Sequence, residues 1–570
     1  MPDDFQQIKA QAEEKWASLA SGDTPHIRVG TALCGKAAGG LAVIESIRRE
    51  LQSRDIHATI SEVGCMGLCF AEPLVDITMP GGSRVFYAGV TSDAVPEIIA
   101  SHLVEKKPDP DLVLGLLGEN GTGDFQDLAQ HPMMKDQVRI ALRNAGTIDP
   151  YDIHQYVANG GYSALYKAVT GMTPEEVLEE VNKSGLRGRG GAAFPTATKW
   201  SFLARSTEPV KYILCNCEEG DPGAFNDKGI LDSDPHTLVE GMILAGYATG
   251  ARFGYIFIRH GHEGPIERTQ TAVKQARELG FLGDNIFESD FGFHLEVALT
   301  GDSYVSGEET ALMEAIEGGR AMPRYRPPFP AQVGLFGKPS NINNVKTLSY
   351  VPEIIRRGGD WFAGIGQDRS KGTAILCLSG DLVHPGMVEL PFGLTLGDVV
   401  YKVAGGVSGD RKLKLLQTGG PLGGVLGSAQ MDIPLDFEAM AGVGAILGSG
   451  GIIAAADDSC AVDLTRSLIA FCQYESCGKC FPCRLGMTHL LEVLERICEL
   501  RSLPGDLELM RKVGQDMQAG SLCGHGQLGF NPVASALRYF GDEFEEHMVN
   551  RRCPTGVCAS ERYSPVAVRR

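Results

Sequence analysis

The sequence is short of positive charge. Lys and Arg number 52 against 71 Asp and Glu, a formal net charge of -19 at pH 7. That sign disfavours nucleic acid or an anionic membrane as the main partner. An export signal is also missing, because Met1-Pro2-Asp3-Asp4-Phe5 is acidic and lacks the basic-then-apolar order. Nor is there an unbroken apolar run. The longest uncharged stretch, Ala439 to Ala456, is interrupted by glycines and reads as buried strands and turns. A cytoplasmic location without membrane insertion is the expectation. Long-period repeats are absent, and without a route to an oxidising compartment the 15 cysteines are not expected to form disulfides.

What is present is enough chain for several domains. Residues 1–104 read as a compact α/β unit, with helices over Ala10–Leu19 and Leu41–Leu51 and strands over His26–Gly30, Ala58–Val63 and Leu74–Thr78. Residues 105–148, rich in proline, glycine and acid, read as a linker or extended wrap. A second α/β region is expected over 149–370. In it Thr173-Pro174-Glu175-Glu176 is a strong helix start, and Lys211–Cys215 and Tyr255–Arg259 are strand-like runs. Helical patterns over Leu238–Thr249 and Ile266–Leu279 complete a layered alternation. Residues 371–455 are glycine-rich with short β-like runs, a β-grasp-like insert. Residues 456–549 read as a helical bundle and 550–570 as a tail.

The most specific local signal is Cys477-Gly478-Lys479-Cys480-Phe481-Pro482-Cys483. Thiolates at C-x2-C-x2-C can cap three irons of a 4Fe–4S cubane from one loop, with Cys523 arriving from a later one. Zinc sites more often pair cysteines two and two. Free structural thiols fit poorly, since glycine, lysine and proline break any core pattern. Cys377, Cys472 and Cys498 lie in apolar runs and read as core residues. Gly185 to Pro195, GLRGRGGAAFP, could wrap a phosphate with backbone N–H groups, its two arginines adding positive charge. A helix precedes it where a dinucleotide fingerprint needs a strand. By itself the loop could equally be a glycine-rich turn.

Six motifs recur in one order: Gly185 to Trp200, Cys215 to Phe225, Ser306-Gly307-Glu308-Glu309-Thr310, Pro327 to Pro330, Asn341 to Val345 and the Cys477 loop. Together they resemble the family of NADH-dehydrogenase subunits of respiratory complex I. The resemblance is closer to the β subunits of electron-bifurcating hydrogenases and NAD-dependent formate dehydrogenases. It implies a thioredoxin-like N-terminal domain, a Rossmann-like FMN/NADH domain, a β-grasp-like (SLBB) insert and a helical bundle carrying the 4Fe–4S cluster. It further implies that Gly188, Gly190, Gly191 and Lys199 hold the FMN phosphate, and that Asn216, Glu218, Asn343 and Asn344 bind the ribityl chain and flavin ring. Phe194, Phe202 and Phe329 would stack on the nicotinamide nucleotide, with Asp221 and Glu309 hydrogen-bonding it and Glu308 beside them. Taken singly, each phenylalanine could be a core residue, and Glu308-Glu309 a solvated helix start. The implied activity is NADH:acceptor oxidoreduction, with single electrons passed to partner subunits: a thioredoxin-like 2Fe–2S small subunit and a further redox subunit.

The chain departs from the family at Glu218-Glu219, usually Asp-Glu, at Ser306, usually Cys, and at Asp302, usually Gly. His260-Gly261-His262 stands where the family commonly has Glu-Tyr. Cys34, Cys65 and Cys69 resemble the ligands of a 2Fe–2S domain that needs four, and Arg28 or Gly30 stands where the missing one should be. A cluster with an unusual fourth ligand and a cluster-free relic stand side by side, the relic slightly preferred. Cys460, His547, Cys553 and Cys558 match in kind a Cys3His zinc set, placed ahead of a free-thiol tail. Flavin-based electron bifurcation and a catalytically silent scaffold remain as alternatives.

Overall fold

The computed structural model describes residues 2–118 and 125–558. Residues 119–124 of the expected linker and 559–570 of the expected tail lie outside the described residues. The architecture is mixed α/β, with three larger sheets followed by a helical bundle. In the first sheet the strands run Thr59–Val63, His26–Gly30, Val75–Thr78, Arg84–Tyr87 and Val113–Leu117. The first two are parallel and the others antiparallel. Helix Gly40–Ser53 covers it with Val43, Ile44, Ile47 and Leu51, the 3–4 spacing of an apolar stripe.

Val113–Leu117 falls in the segment read as a linker. It is an edge strand whose only strand partner is Arg84–Tyr87, so the cause of its conformation lies outside its own sequence. Farther along, Ile140, Ala141 and Leu142 donate their N–H groups to the buried Glu389 carboxylate at 2.9, 3.2 and 2.9 Å. The Thr373 hydroxyl adds a 2.6 Å bond. These donors satisfy a buried acid that forms no ion pair among the described residues, and they fix the wrap.

The second sheet is wholly parallel, in the order His294–Thr300, Phe253–Arg259, Tyr212–Cys217, Ser340–Asn344. Thr173 forms a full capping box with Glu176 at the helix Pro174–Lys183. Asp234 caps Pro235–Thr249, and Gly250 ends that helix at φ 72°. Pro235–Thr249 and Val345–Arg357 pack together as nearly all-buried helices, and both meet strand Tyr212–Cys217. Tyr212–Cys217 and Phe253–Arg259 are apolar along most of their length, which is why they are readable as runs, whereas Ser340–Asn344 is mostly polar and is not.

Arg268 bolts the first two regions together. Its fully buried guanidinium donates to the Thr31 carbonyl at 3.1 Å, the Thr31 hydroxyl at 2.7 Å and the Asp232 carbonyl.

The third sheet runs Gly386–Pro391, Thr373–Gly380, Gly451–Ala456, Leu413–Thr418, Val425–Gly427. The uncharged stretch from Ala439 therefore holds the end of a short helix, Phe437–Gly442, then glycine turns and a buried central strand. Helices Ala461–Tyr474, Phe481–Cys498, Asp506–Gly520, Asn531–Tyr539 and Gly541–Met548 form the bundle, with a short turn of helix at Gly524–Gln527. Among the described residues no helix is long and apolar enough to cross a membrane.

Candidate functional site

In the parallel sheet, the strand after Tyr212–Cys217 lies on one side of it and the last strand, Ser340–Asn344, lies on the other. The connections leave in opposite directions there, and a crevice opens at the strands' carboxyl ends. Register pairs Cys215 with Asn343 and Asn216 with Asn344, so both asparagine motifs reach that edge together. A cleft of about 540 Å³ lies there. Its wall includes Gly188, Gly190, Gly191, Phe194, Lys199, Asn216, Glu218, Asp221, Glu308, Glu309, Asn343 and Asn344. Phe202 and Phe329 are not in that wall. Phe202 lies beside Phe194, ring centroids 6.4 Å apart, and both rings are half exposed. Phe329 is exposed on its loop.

The glycine loop is shaped for close approach. Gly191 has φ 116°, a backbone that side chains resist, and a Cβ at Gly190 would come within 3.0 Å of Asn344. Its two arginines do not face the cleft, contrary to the expectation that they supply charge. Arg189 is buried, donating to the carbonyls of Thr373, Arg187 and Lys371 at 3.2, 2.8 and 2.6 Å. Arg187 pairs with Glu438 at 2.7 Å. The loop carbonyls and neighbouring rings can satisfy a guanidinium inside the fold, so a basic residue in a glycine motif need not point at the ligand. Lys199 does line the cleft, held 3.5 Å from Glu309, which also takes a 2.7 Å bond from Arg326.

Several polar wall residues are braced from behind. Asn216 donates to the Gly307 carbonyl at 2.7 Å and accepts from the Glu218 N–H at 3.0 Å. Arg259 holds the Glu218 carboxylate at 2.6 Å and also lies 3.6 Å from Asp302, one of the departures from the family pattern. Burial raises Glu218 to about 7, although Arg259 pulls the other way. Glu308 caps helix Glu309–Ile316 by accepting from Thr310 and Ala311 N–H, so its second oxygen remains for the cleft. Asn344 donates to Asp227 at 2.5 Å, and Lys346 closes that network at 2.9 Å. The buried Thr196 hydroxyl has no hydrogen-bond partner among the described residues, although it lines the cleft. A cradle of glycine backbone, an orphan hydroxyl and one lysine fit a phosphate-bearing ligand.

The bundle supplies part of the wall. Cys523, Gly524, His525 and Leu528 line the same cleft. Cys480 precedes helix Phe481–Cys498, and Gly478 takes φ 71° to turn the loop. Burial raises Cys523 to about 11 and Cys483 to about 12, with the other thiols of the set contributing to both shifts. Among the described residues, no three of the Cys477, Cys480, Cys483 and Cys523 sulfurs fall within 4.8 Å of one another. A cubane, which keeps each thiolate on its own iron, suits that spread.

Residues 181–353 match the family described as the Nuo51 FMN-binding domain, and residues 463–547 match the NADH-ubiquinone oxidoreductase-F iron-sulfur binding region. The NADP-reducing hydrogenase subunit HndC of Solidesulfovibrio fructosivorans is 43% identical over 426 residues, 75% of this chain and 86% of that relative. The chain belongs to the NADH-ubiquinone oxidoreductase-F family. An F-type NADH-quinone oxidoreductase subunit of Rhizobium meliloti is 42% identical over 73% of this chain and 99% of its own. The NAD+-reducing [NiFe]-hydrogenase in its H2-reduced state has a chain that superposes with a TM-score of 0.65 at 26% identity, covering 96% of this chain and 90% of that one.

This oxidoreductase-F chain thus carries an FMN-binding domain and a 4Fe–4S region, and the two meet at one cleft. Nothing in the sequence marks Asp227, Tyr304 or Ser449 as wall residues, and Thr196 falls in the Gly185 to Trp200 motif without being singled out. Tertiary structure brings the first three to the cleft, and none has a diagnostic spacing. Cys377, Cys472 and Cys498 are fully buried, as expected, although Cys377 Sγ accepts the Phe225 N–H at 3.2 Å and Cys498 lies against the Cys558 thiol. Two further ligand groups in the oxidoreductase-F chain are compact. Cys460, His547, Cys553 and Cys558 offer ligand atoms all within 4.8 Å of one another, with Cys460 Sγ 3.4 Å from His547 Nε2 and 3.6 Å from Cys558 Sγ. Cys34, Cys65 and Cys69 form the other.

Proposed function

We propose that the chain is the NADH-oxidising subunit of a multi-subunit oxidoreductase, from which single electrons leave for a partner through the Cys477/Cys480/Cys483/Cys523 cluster. One observation carries this reading: Cys523 and the glycine loop line one and the same cleft. FMN, when bound, supplies hydride acceptance and one-electron release. The chain's own residues do the rest. Backbone N–H groups of Gly190 and Gly191 take the FMN phosphate with Lys199, beside Gly188, whose own N–H closes the loop on the Phe194 carbonyl at 2.8 Å, while Asn343 and Asn344 hold the ribityl chain. Asn216 and Glu218, each fixed from behind, orient the ring. Phe194 and Phe202 receive the nicotinamide nucleotide at the mouth, with Phe329 on the loop outside and Asp221, Glu308 and Glu309 as hydrogen-bond partners. The Cys523 loop excludes water between the flavin site and the cluster.

In this reading the units are a thioredoxin-like domain (1–104), a linking wrap (105–148), a Rossmann-like domain (149–370), a β-grasp-like insert (371–455) and the cluster bundle (456–549). The segment 550–570 brings Cys553 and Cys558 to a zinc ion held also by Cys460 and His547. A tetrahedral zinc with bonds of about 2.3 Å to sulfur places its ligand atoms about 3.8 Å apart, close to the 3.4 and 3.6 Å found. A silent scaffold is disfavoured by the unpartnered Thr196 hydroxyl and the glycine cradle. Anaerobic NADH titration of the FMN-loaded protein is the test. Bleaching of the flavin band followed by a reduced 4Fe–4S EPR signal is expected. Failure of NADH to bleach bound flavin would overturn the reading.

A further inference from the structure

The trio of cysteines in the first domain has a neighbour that the motif does not reveal. Cys34 opens the short helix after strand His26–Gly30, and Cys65 and Cys69 lie in the loop after Thr59–Val63. Their sulfurs all lie within 4.8 Å of one another, with Cys65 and Cys69 3.7 Å apart. The Glu72 carboxylate stands beside Cys34, Oε1 at 3.8 Å from its Sγ, and its interactions extend to Cys65, although it is not within 4.8 Å of all three sulfurs. Its other oxygen accepts the Leu74 N–H at 2.8 Å, which fixes the carboxylate's direction. Among the described residues no lysine, arginine or histidine forms an ion pair with it.

Gly30 explains why the carboxylate is there. A Cβ at that position would fall 2.6 Å from Glu72 Oε2 and 2.9 Å from Oε1. The space a side chain at position 30 would use is therefore filled by Glu72. Arg28, the other position considered for the missing ligand, is spent elsewhere, pairing with buried Asp76 at 3.0 Å. The surroundings are stiff. Gly67, at φ 104°, donates its N–H to Cys65 Sγ at 3.3 Å and lies against the Met387 carbonyl. Arg139 holds the Met66 carbonyl at 3.0 Å, and the Leu33 N–H donates to Asp232 at 3.1 Å.

We propose that Cys34, Cys65, Cys69 and Glu72 form a Cys3Glu site for a single thiophilic divalent cation, zinc, in place of a 2Fe–2S cluster. A two-iron cluster divides its four ligands between two irons, and a trio of sulfurs this close cannot be shared out in that way. Three thiolates and one carboxylate around one centre are a normal tetrahedral zinc set. Zinc is also bound ahead of ferrous iron by such donors. The ion is redox-silent and clips three loop ends at the joint where Leu33 meets Asp232. Electrons from the flavin cleft do not pass through it.

The test uses the full-length protein loaded with FMN and iron–sulfur cluster, with zinc and iron counted per chain and zinc-edge X-ray absorption recorded. Cys34→Ser should lose one zinc equivalent, with iron content and the 4Fe–4S EPR signal unchanged. Glu72→Gln should release that zinc to a chromophoric chelator at least about tenfold more readily. Glu72→Cys guards against simple misfolding. It should keep the zinc, while the average coordination gains sulfur and loses oxygen. A second reducible iron signal that vanishes in Cys34→Ser would overturn the proposal in favour of a 2Fe–2S cluster. Unchanged zinc in Cys34→Ser would overturn it in favour of an empty trio. Zinc held equally tightly in Glu72→Gln would remove Glu72 from the ligand set and overturn it as stated.

Discussion

The helical bundle builds two ligand sets to different rules. Around Cys477, Cys480, Cys483 and Cys523 no three sulfurs come within 4.8 Å, and Cys523 stands in the wall of an open cleft. Around Cys460, His547, Cys553 and Cys558 every ligand atom lies within 4.8 Å of the others and all four residues are buried. The wide set leaves room for a cluster and faces a cavity with unspent polar groups. The compact set is closed, with His547 Nδ1 already 2.8 Å from the Glu543 carbonyl. Spacing and access thus separate the proposed redox site from the proposed structural one, the first all cysteine and the second three cysteines with a histidine.

The sharpest way to break that contrast is Cys523→Ser. The EPR signal of the cluster should disappear, and reduction of a one-electron acceptor by NADH should fall by about a hundredfold or more. Flavin bleaching by NADH, followed by stopped flow, should survive within a few-fold. If bleaching is lost as well, the two walls of the cleft are not separable functions. Cys460→Ser is the counterpart. It should remove one zinc equivalent of the two proposed, leave iron and NADH oxidation nearly intact, and lower the thermal midpoint by about 5 °C or more. Loss of the flavin-to-cluster step in that variant would erase the distinction between the sets.

How much of this is legible in the sequence depends on where each feature's cause lies. The cysteine loop and the glycine loop are local, so residues 477–483 and 185–195 stand out by spacing. Helix starts such as Thr173 are equally local, and the capping box is present as expected. The edge strand Val113–Leu117 is not legible, since its pairing with Arg84–Tyr87 is tertiary. The direction of Arg187 and Arg189 escapes a sequence reading for the same reason: their partners, Glu438, Thr373 and Lys371, are about 180 residues or more away. Asp227 becomes a wall residue only through tertiary structure.

A smaller effect sharpens the open side of the contrast. Gly191→Val forces a side chain onto φ 116° in the phosphate cradle. Strain of about 1–3 kcal/mol at such a position should weaken FMN binding by about tenfold or more, read from flavin fluorescence on titration. The iron and zinc contents should not change.

The smallest expected effect tests the chemistry of the wall itself. Glu218 is buried beside Arg259, and burial raises it to about 7, while an exposed glutamate titrates near 4.5. The folded chain therefore holds that proton more tightly than the unfolded one. By linkage, stability from this group is present below the ordinary carboxylate range and is lost as pH rises towards 7. Glu218→Gln removes the titration, so the thermal midpoint of the flavin-free protein should fall less between about pH 4.5 and 7 than in the parent. Arg259→Met should act in the opposite sense. Without the guanidinium that favours the carboxylate, Glu218 rises further and the loss extends to higher pH. Identical pH profiles in all three proteins would show that Glu218 is already ionised at neutral pH. The wall would then meet the flavin as a fixed anion and not as a group poised to exchange a proton.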